Sequence, residues 1–156
     1  MNIVDLQTYY ASLSIEEREA LDDEGLCMHE QLAPGGYASS PRGYLAFAST
    51  GGNGVHFSFA SDQAGPVVMT VPMAFDCPNV VVGSNLQDFL SLGCIFGYFR
   101  LEGLAYDIAR TSSSVESAEG QHPALRDLSE QFNLRPWQDV GRRLATLKLA
   151  CPLEQG

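Results

Sequence analysis

The chain has 156 residues, 45% of them hydrophobic and 18% charged, with 19 acids against nine bases and a net charge of −10. That length suits one domain, residues 1–156, with a core of its own, and no apolar run approaches the ~18–20 residues of a membrane helix. The opening "MNIVDLQTYY" has neither a basic nor an apolar signal-peptide region, so the expected location is the cytoplasm.

The acid is concentrated at the start. Residues 1–30 hold Asp5, Glu16, Glu17, Glu19, Asp22, Asp23, Glu24 and Glu30 against Arg18 alone. Such a face repels nucleic acid and anionic membrane and attracts a basic protein. The bases form no stripe of the kind nucleic acid needs, since only Arg142 and Arg143 are adjacent.

Residues 3–12 are expected to form a first helix, with Ile3, Leu6 and Tyr10 on one side. Ser14 opens a second. Ser14 and Glu17 have the S-x-x-E spacing of a capping box, Glu16, Glu17 and Glu19 lie near the positive end of the helix dipole, and Gly25 is the stop. Ile15 and Leu21 are too few for a broad apolar face, which places this helix at the surface.

"APGGYASSPRG" (33–43) reads as a loop. The period then changes to two. Leu45 and Phe47 alternate with small residues; Val55, Phe57 and Phe59 alternate with His56 and Ser58; "VVMTV" (67–71) and "VVV" (80–82) are β-branched runs between turn residues. These predict about four or more strands in a mostly antiparallel sheet. "STGGNGVHFSF" (49–59) resembles a phosphate loop, but such a loop opens into a helix and carries a lysine. Period-two sequence follows instead, so residues 51–54 are expected to turn a hairpin.

Helical spacing returns after residue 84. Ser84 and Gln87 give a second capping pair, with Leu86, Phe89 and Leu90 inward and Gly93 as a stop. Leu101, Leu104, Ala105 and Ile108 form an i, i+3, i+4, i+7 stripe, and "TSSSVESAEGQH" (111–122) reads as a polar loop. Pro123 starts a helix with Leu125, Leu128 and Phe132 inward. Pro136 opens the last, with Trp137, Val140, Leu144 and Leu147 toward the core and Arg142 and Arg143 outward, and "CPLEQG" is a tail. Helices, then strands, then helices predict an α+β fold with the sheet covered by N-terminal and C-terminal helices.

Little of this carries catalysis. Cys27, Cys77, Cys94 and Cys151 are scattered, as expected of buried thiols, and His29, His56 and His122 show no zinc spacing. "EEREALDDEG" lacks the ligand alternation and central glycine of a calcium loop. A Cys94–His56–Asp76 arrangement can be drawn, but Leu92, Ile95 and Phe96 give Cys94 apolar surroundings that quiet a thiol. His56 should lie on the sheet face opposite the phenylalanines, exposed or hydrogen-bonded beneath a helix. No cofactor, metal or catalytic residue is assigned.

Over residues 45–95, the Gly-Gly turn before a strand, the short "VVV" strand and the closely following "NLQDFLSLG" helix resemble the SUKH superfamily. These are small bacterial and fungal α+β domains named after cell-wall-synthesis regulators. The resemblance implies an immunity-type protein that neutralises a nuclease or deaminase toxin by binding it. The family shares no catalytic residues, so no site is carried over; Gly51 and Gly52 match as turn residues.

The leading expectation is a non-enzymatic interaction module that contacts a basic partner, such as a toxin domain, through Glu16, Glu17, Glu19, Asp22, Asp23, Gly52 and Asn53. Tyr9, Tyr10 and Tyr37 are candidate aromatic anchors. The alternatives are a small-molecule-binding protein or enzyme with a site near His56 and Asp76, and a homo-oligomeric subunit.

Overall fold

Alternation within "HFSFA" gives one strand two chemically different faces, and the rest of the molecule is arranged around that difference. The computed structural model describes residues 1–153, so residues 154–156 of the expected tail lie outside the described residues. Helices α1 (Ile3–Ser12) and α2 (Ile15–Asp23) come first. Strands β1 (Cys27–Ala33), β2 (Tyr44–Ser49), β3 (His56–Ala60), β4 (Val67–Thr70) and β5 (Asn79–Gly83) follow. Then come α3 (Leu86–Leu92), a 3-10 helix (Phe99–Ala105), α4 (Ile108–Ser117), α5 (Pro123–Phe132) and α6 (Val140–Ala150). The strands lie in the order β1-β2-β3-β4-β5, each pair antiparallel, with helices flanking the sheet in an α+β fold. No helix among the described residues is long and apolar enough to cross a membrane.

Phe57 and Phe59 point to the helical side. Phe57 meets Phe89 of α3 at 4.6 Å between ring centroids, and Phe47, set in a bulge between Ala46 and Ala48, meets Phe59 at 5.0 Å. Phe89 also meets Tyr98 at 5.3 Å, and the fully buried Tyr98 hydroxyl donates to the Leu90 carbonyl at 2.6 Å. Leu6, Leu21, Leu125, Leu128, Val140 and Leu144 join the same buried cluster.

The N-terminal helices follow local code. In α2, Ser14 Oγ accepts from Glu17 N–H and Glu17 Oε1 from Ser14 N–H, as the spacing predicts; in α1, Asn2 and Asp5 form a second such box. Gly25, at φ +85°, ends the segment.

The fifth strand, β1, agrees with the expected four or more strands but carries no period-two signal, being a polar edge strand whose pairing with β2 is broken between Met28 and Ala33. Three expectations are corrected. The cap of α3 is Asn85, whose Oδ1 accepts from Asp88 N–H, while Gln87 instead donates to the Phe132 carbonyl. The stripe from Leu101 to Ile108 is not one helix. A 3-10 segment ends at Ala105 and Asp107 caps α4, which runs through most of the expected 111–122 loop; Ser114 and Ser117 hydroxyls satisfy themselves on the carbonyls of Arg110 and Ser113. The last helix opens at Val140 rather than at Pro136, and Glu116 Oε1 accepts the Val140 N–H at 2.6 Å.

Candidate functional site

Directly paired residues of neighbouring strands project to the same face. The register pairs Ser49 with His56, His56 with Thr70 and Thr70 with Asn79, so one polar row crosses four strands on the face away from the phenylalanines. His56 lies there, as its alternation predicts, but it is neither exposed nor beneath a helix. It is 3% exposed, beneath the loop of residues 34–43.

Hydrogen bonds pin that loop. The His56 Nδ1–H donates to the Gly54 carbonyl at 2.9 Å, which fixes the tautomer, and Ser40 Oγ–H donates to Nε2 at 3.0 Å. Thr70 Oγ1 donates to Asn79 Oδ1 at 2.6 Å, and Asn79 Nδ2 donates to the Ser39 carbonyl at 2.9 Å. Tyr37 stacks on the imidazole at 5.6 Å and 17°. Burial, together with the charge of nearby His29, lowers the His56 pKa against the opposing pull of the Gly54 carbonyl.

The glycine stretch is a hairpin turn. Gly51, Asn53 and Gly54 have φ of +82°, +55° and +71°, the Val55 N–H closes on the Gly52 carbonyl at 3.1 Å, and β3 rather than a helix follows. A side chain at Gly54 would run into the Tyr37 hydroxyl, and one at Gly52 would touch the Phe99 ring. The turn, His29, Tyr37, Ser49 and His56 line an open cavity of about 450 Å³.

Ser40 and His56 have the distance of a nucleophile and its base, but Ser40 does not line the cavity that His56 borders. Gly35 lies so close over both that even a Cβ there would overlap Nε2. The pair is a clip. Asp76 is exposed in the β4–β5 connection and does not line the cavity. Cys94 is buried near Ser129 and Gln121, its thiol pushed up by burial. The structure therefore does not assemble the drawn Cys94–His56–Asp76 arrangement. Among the described residues no three His, Cys, Asp or Glu side chains gather as a metal site.

The acidic residues of α2 divide into two groups. Glu16 and Glu17 line a groove of about 220 Å³ with Tyr9, Leu13 and Asp127, between α1–α2 and α5. Asp22 and Asp23 sit at the other end of α2, about 9 Å along the axis. There Cys27 Sγ–H donates to the Asp22 carbonyl at 3.6 Å and packs against Gly51, which brings Asp22 and Asp23 to the side of Gly52 and Asn53. Glu19 lies between the groups, exposed.

Arg18 neutralises none of them. Its Nε donates to the Tyr10 carbonyl and its Nη2 to the Ala11 carbonyl. Asp22 accepts the Tyr10 hydroxyl at 2.9 Å, and with burial as the larger cause the Tyr10 pKa is pushed up to about 12. Tyr10 is thereby engaged within the molecule. Among the described residues the single ion pair is Arg143–Asp88. Comparison with protein-family models, curated proteins and solved structures finds no match for this chain.

Proposed function

We propose that this chain is a non-enzymatic interaction module that binds a basic protein through α2 and the adjoining glycine turn. The observation that carries the reading is uncompensated charge. Glu16, Glu17, Glu19, Asp22 and Asp23 have no cationic partner among the described residues, and Arg18, on the same helix, is committed to backbone carbonyls. Such a surface speeds the approach of a cationic protein and rejects acidic ones. The SUKH resemblance supplies the kind of partner, a toxin domain; the cytoplasm, expected from the N-terminal sequence, is the proposed place of encounter.

The test looks for a toxin domain encoded beside this chain, purifies it and measures its association rate with this chain against salt. The rate should fall steeply as salt rises, and replacing Glu16, Glu17 and Asp22 with lysine should slow it at least tenfold and flatten the salt dependence. Unchanged rates in both arms overturn the reading.

The cavity beside His56 favours a second reading, a small-molecule site. Its described lining contains no carboxylate, lysine or arginine, and both ring nitrogens of His56 are occupied, which leaves the His29 imidazole and the Tyr37 hydroxyl, beside the glycine turn, for a ligand to meet.

A further inference from the structure

The polar row from Ser49 to Asn79 also fixes where the hairpin connections go. The β2–β3 turn (residues 50–55) and the β4–β5 connection (71–78) leave the sheet at the same end. Adjacent strands put them about 10 Å apart.

The β4–β5 connection is folded on itself. Val71 N–H donates to the Pro78 carbonyl at 2.7 Å and Ala74 N–H to the Val71 carbonyl at 3.0 Å, with Val71 and Ala74 buried. Those two inward residues hold Met73 and Phe75 outward, 58% and 83% exposed. On either side of the glycine turn, Tyr37 and Phe99 are 48% and 46% exposed. Four bulky apolar groups therefore surround one end of the sheet on hydrogen-bonded supports, where water gives them no reason to be.

We propose that this end is the apolar centre of a protein interface. Phe75 and Met73 enter a recess on the partner, Tyr37 and Phe99 pack beside them, and Asp22, Asp23 and Asp76 form a rim that meets lysines and arginines. The inference rests on the basic-partner reading. Charge selects the occupant. Residues 71–78 contain Asp76 and no base, and the neighbouring Arg100 lays its guanidinium on Phe96 at 4.2 Å. A second copy of a chain carrying −10 would set like charges against each other, whereas a cationic surface matches the rim.

The test is a photo-cross-linking residue placed at position 75 of the full chain in its native cell. Position 149 is the control, because Leu149 is an equally exposed apolar residue on α6. An adduct at 75, absent at 149, with one protein of strongly basic composition is the expected result. With that protein purified, Phe75→Ala should weaken binding at least tenfold and leave the salt dependence of association intact. The lysine substitutions on α2 should instead slow association and flatten its salt dependence, so an unaltered chain whose association does not depend on salt, with Phe75→Ala still weakening binding, counts against the basic-partner reading and not against the apolar centre. No adduct at 75, equal adducts at both positions, an adduct to a second copy or to an acidic protein, or full affinity in Phe75→Ala would overturn the inference.

Discussion

Ser40 and His56, sixteen residues apart, are joined through a 3.0 Å hydrogen bond on the sheet face away from the phenylalanines. The bond holds the 34–43 loop against β3 and fixes Tyr37 beside the glycine turn. A buried imidazole therefore supports the end of the sheet that carries the proposed interaction surface.

Stability should depend on pH through this residue. The folded pKa of His56 lies below its ordinary value of 6.5, chiefly from burial, so in the interval beneath 6.5 the unfolded chain binds more protons than the folded one. The contribution is complete above 6.5 and is lost as pH falls from there toward the folded pKa. Denaturant unfolding at pH 7.5 and 5.5 should show lower stability at pH 5.5, and His56→Gln should reduce the difference between the two. Glu17, whose pKa is lowered chiefly by the Ser14 backbone hydrogen bond, titrates below 4.5 and stays outside this window. An equal difference in His56→Gln would show that other groups carry the slope.

Gly25 and Gly36 share a backbone conformation and differ in surroundings. Their φ angles are +85° and +82°, but a Cβ at Gly25 would fall on the Phe99 backbone, whereas one at Gly36 meets nothing within 4 Å. Gly36→Ala should therefore cost only the left-handed strain, about 1–2 kcal/mol. Gly25→Ala adds overpacking of about 1–3 kcal/mol. It also disturbs the Glu24 carbonyl that accepts from Tyr98 and Phe99 N–H. Urea titration of both variants checks the order, and equal losses would mean that the Phe99 segment yields freely.

What the sequence discloses here follows the range of the interactions. The Ser14–Glu17 box, the Gly25 stop and the two faces of β3 rest on neighbours within a few residues, and each is readable. At residues 84–88 two overlapping capping pairs compete, and Asn85–Asp88 prevails because Asp88 is also used by Ser84 and Arg143. β1 carries no apolar alternation because its edge faces water. The serines of α4 read as loop until their hydroxyls find carbonyls one turn back. In the candidate site the charges were legible as residues, but the roof over His56 was not. It depends on Ser40 reaching across sixteen positions and Asn79 across forty, and no local pattern announces either. Met73 and Phe75 were likewise hidden, since their exposure follows from Val71 and Ala74 turning inward.

Asp88 should matter more than the arginine it binds. Arg143 Nη2 meets Asp88 Oδ1 at 2.6 Å, but the arginine side chain is 44% exposed against 13% for the aspartate. Asp88 Oδ2 also accepts from Ser84 N–H and Ser84 Oγ–H at the start of α3. Arg143→Ala removes a partly solvated pair and a stacking contact on Trp137, for a loss of about 1 kcal/mol. Asp88→Ala leaves the Ser84 N–H without its acceptor as well, for about 2–3 kcal/mol. Thermal or denaturant unfolding of the two variants gives the ranking, and a larger loss in Arg143→Ala would make the ion pair, rather than the cap, the main interaction.

The four thiols differ enough in setting to be told apart by a single reagent. Cys77 is exposed in the β4–β5 connection, Cys27 and Cys151 are half-buried, and Cys94 is buried. Burial raises the pKa of Cys94 and Cys27, and in Cys27 the carboxylates of Asp22 and Asp23 raise it further, so both hold less of the reactive thiolate at neutral pH. Maleimide at pH 7 should label Cys77 within the first minutes and leave Cys94 unmodified until denaturant is added, with peptide mass mapping as the readout. A Cys94 that labels in the native state as fast as Cys77 would mean an accessible, activated thiol and would return nucleophilic chemistry to consideration. Labelling at Cys77 should also be blocked when the partner covers Phe75, two residues away, which makes the same measurement a footprint of the apolar end of the sheet.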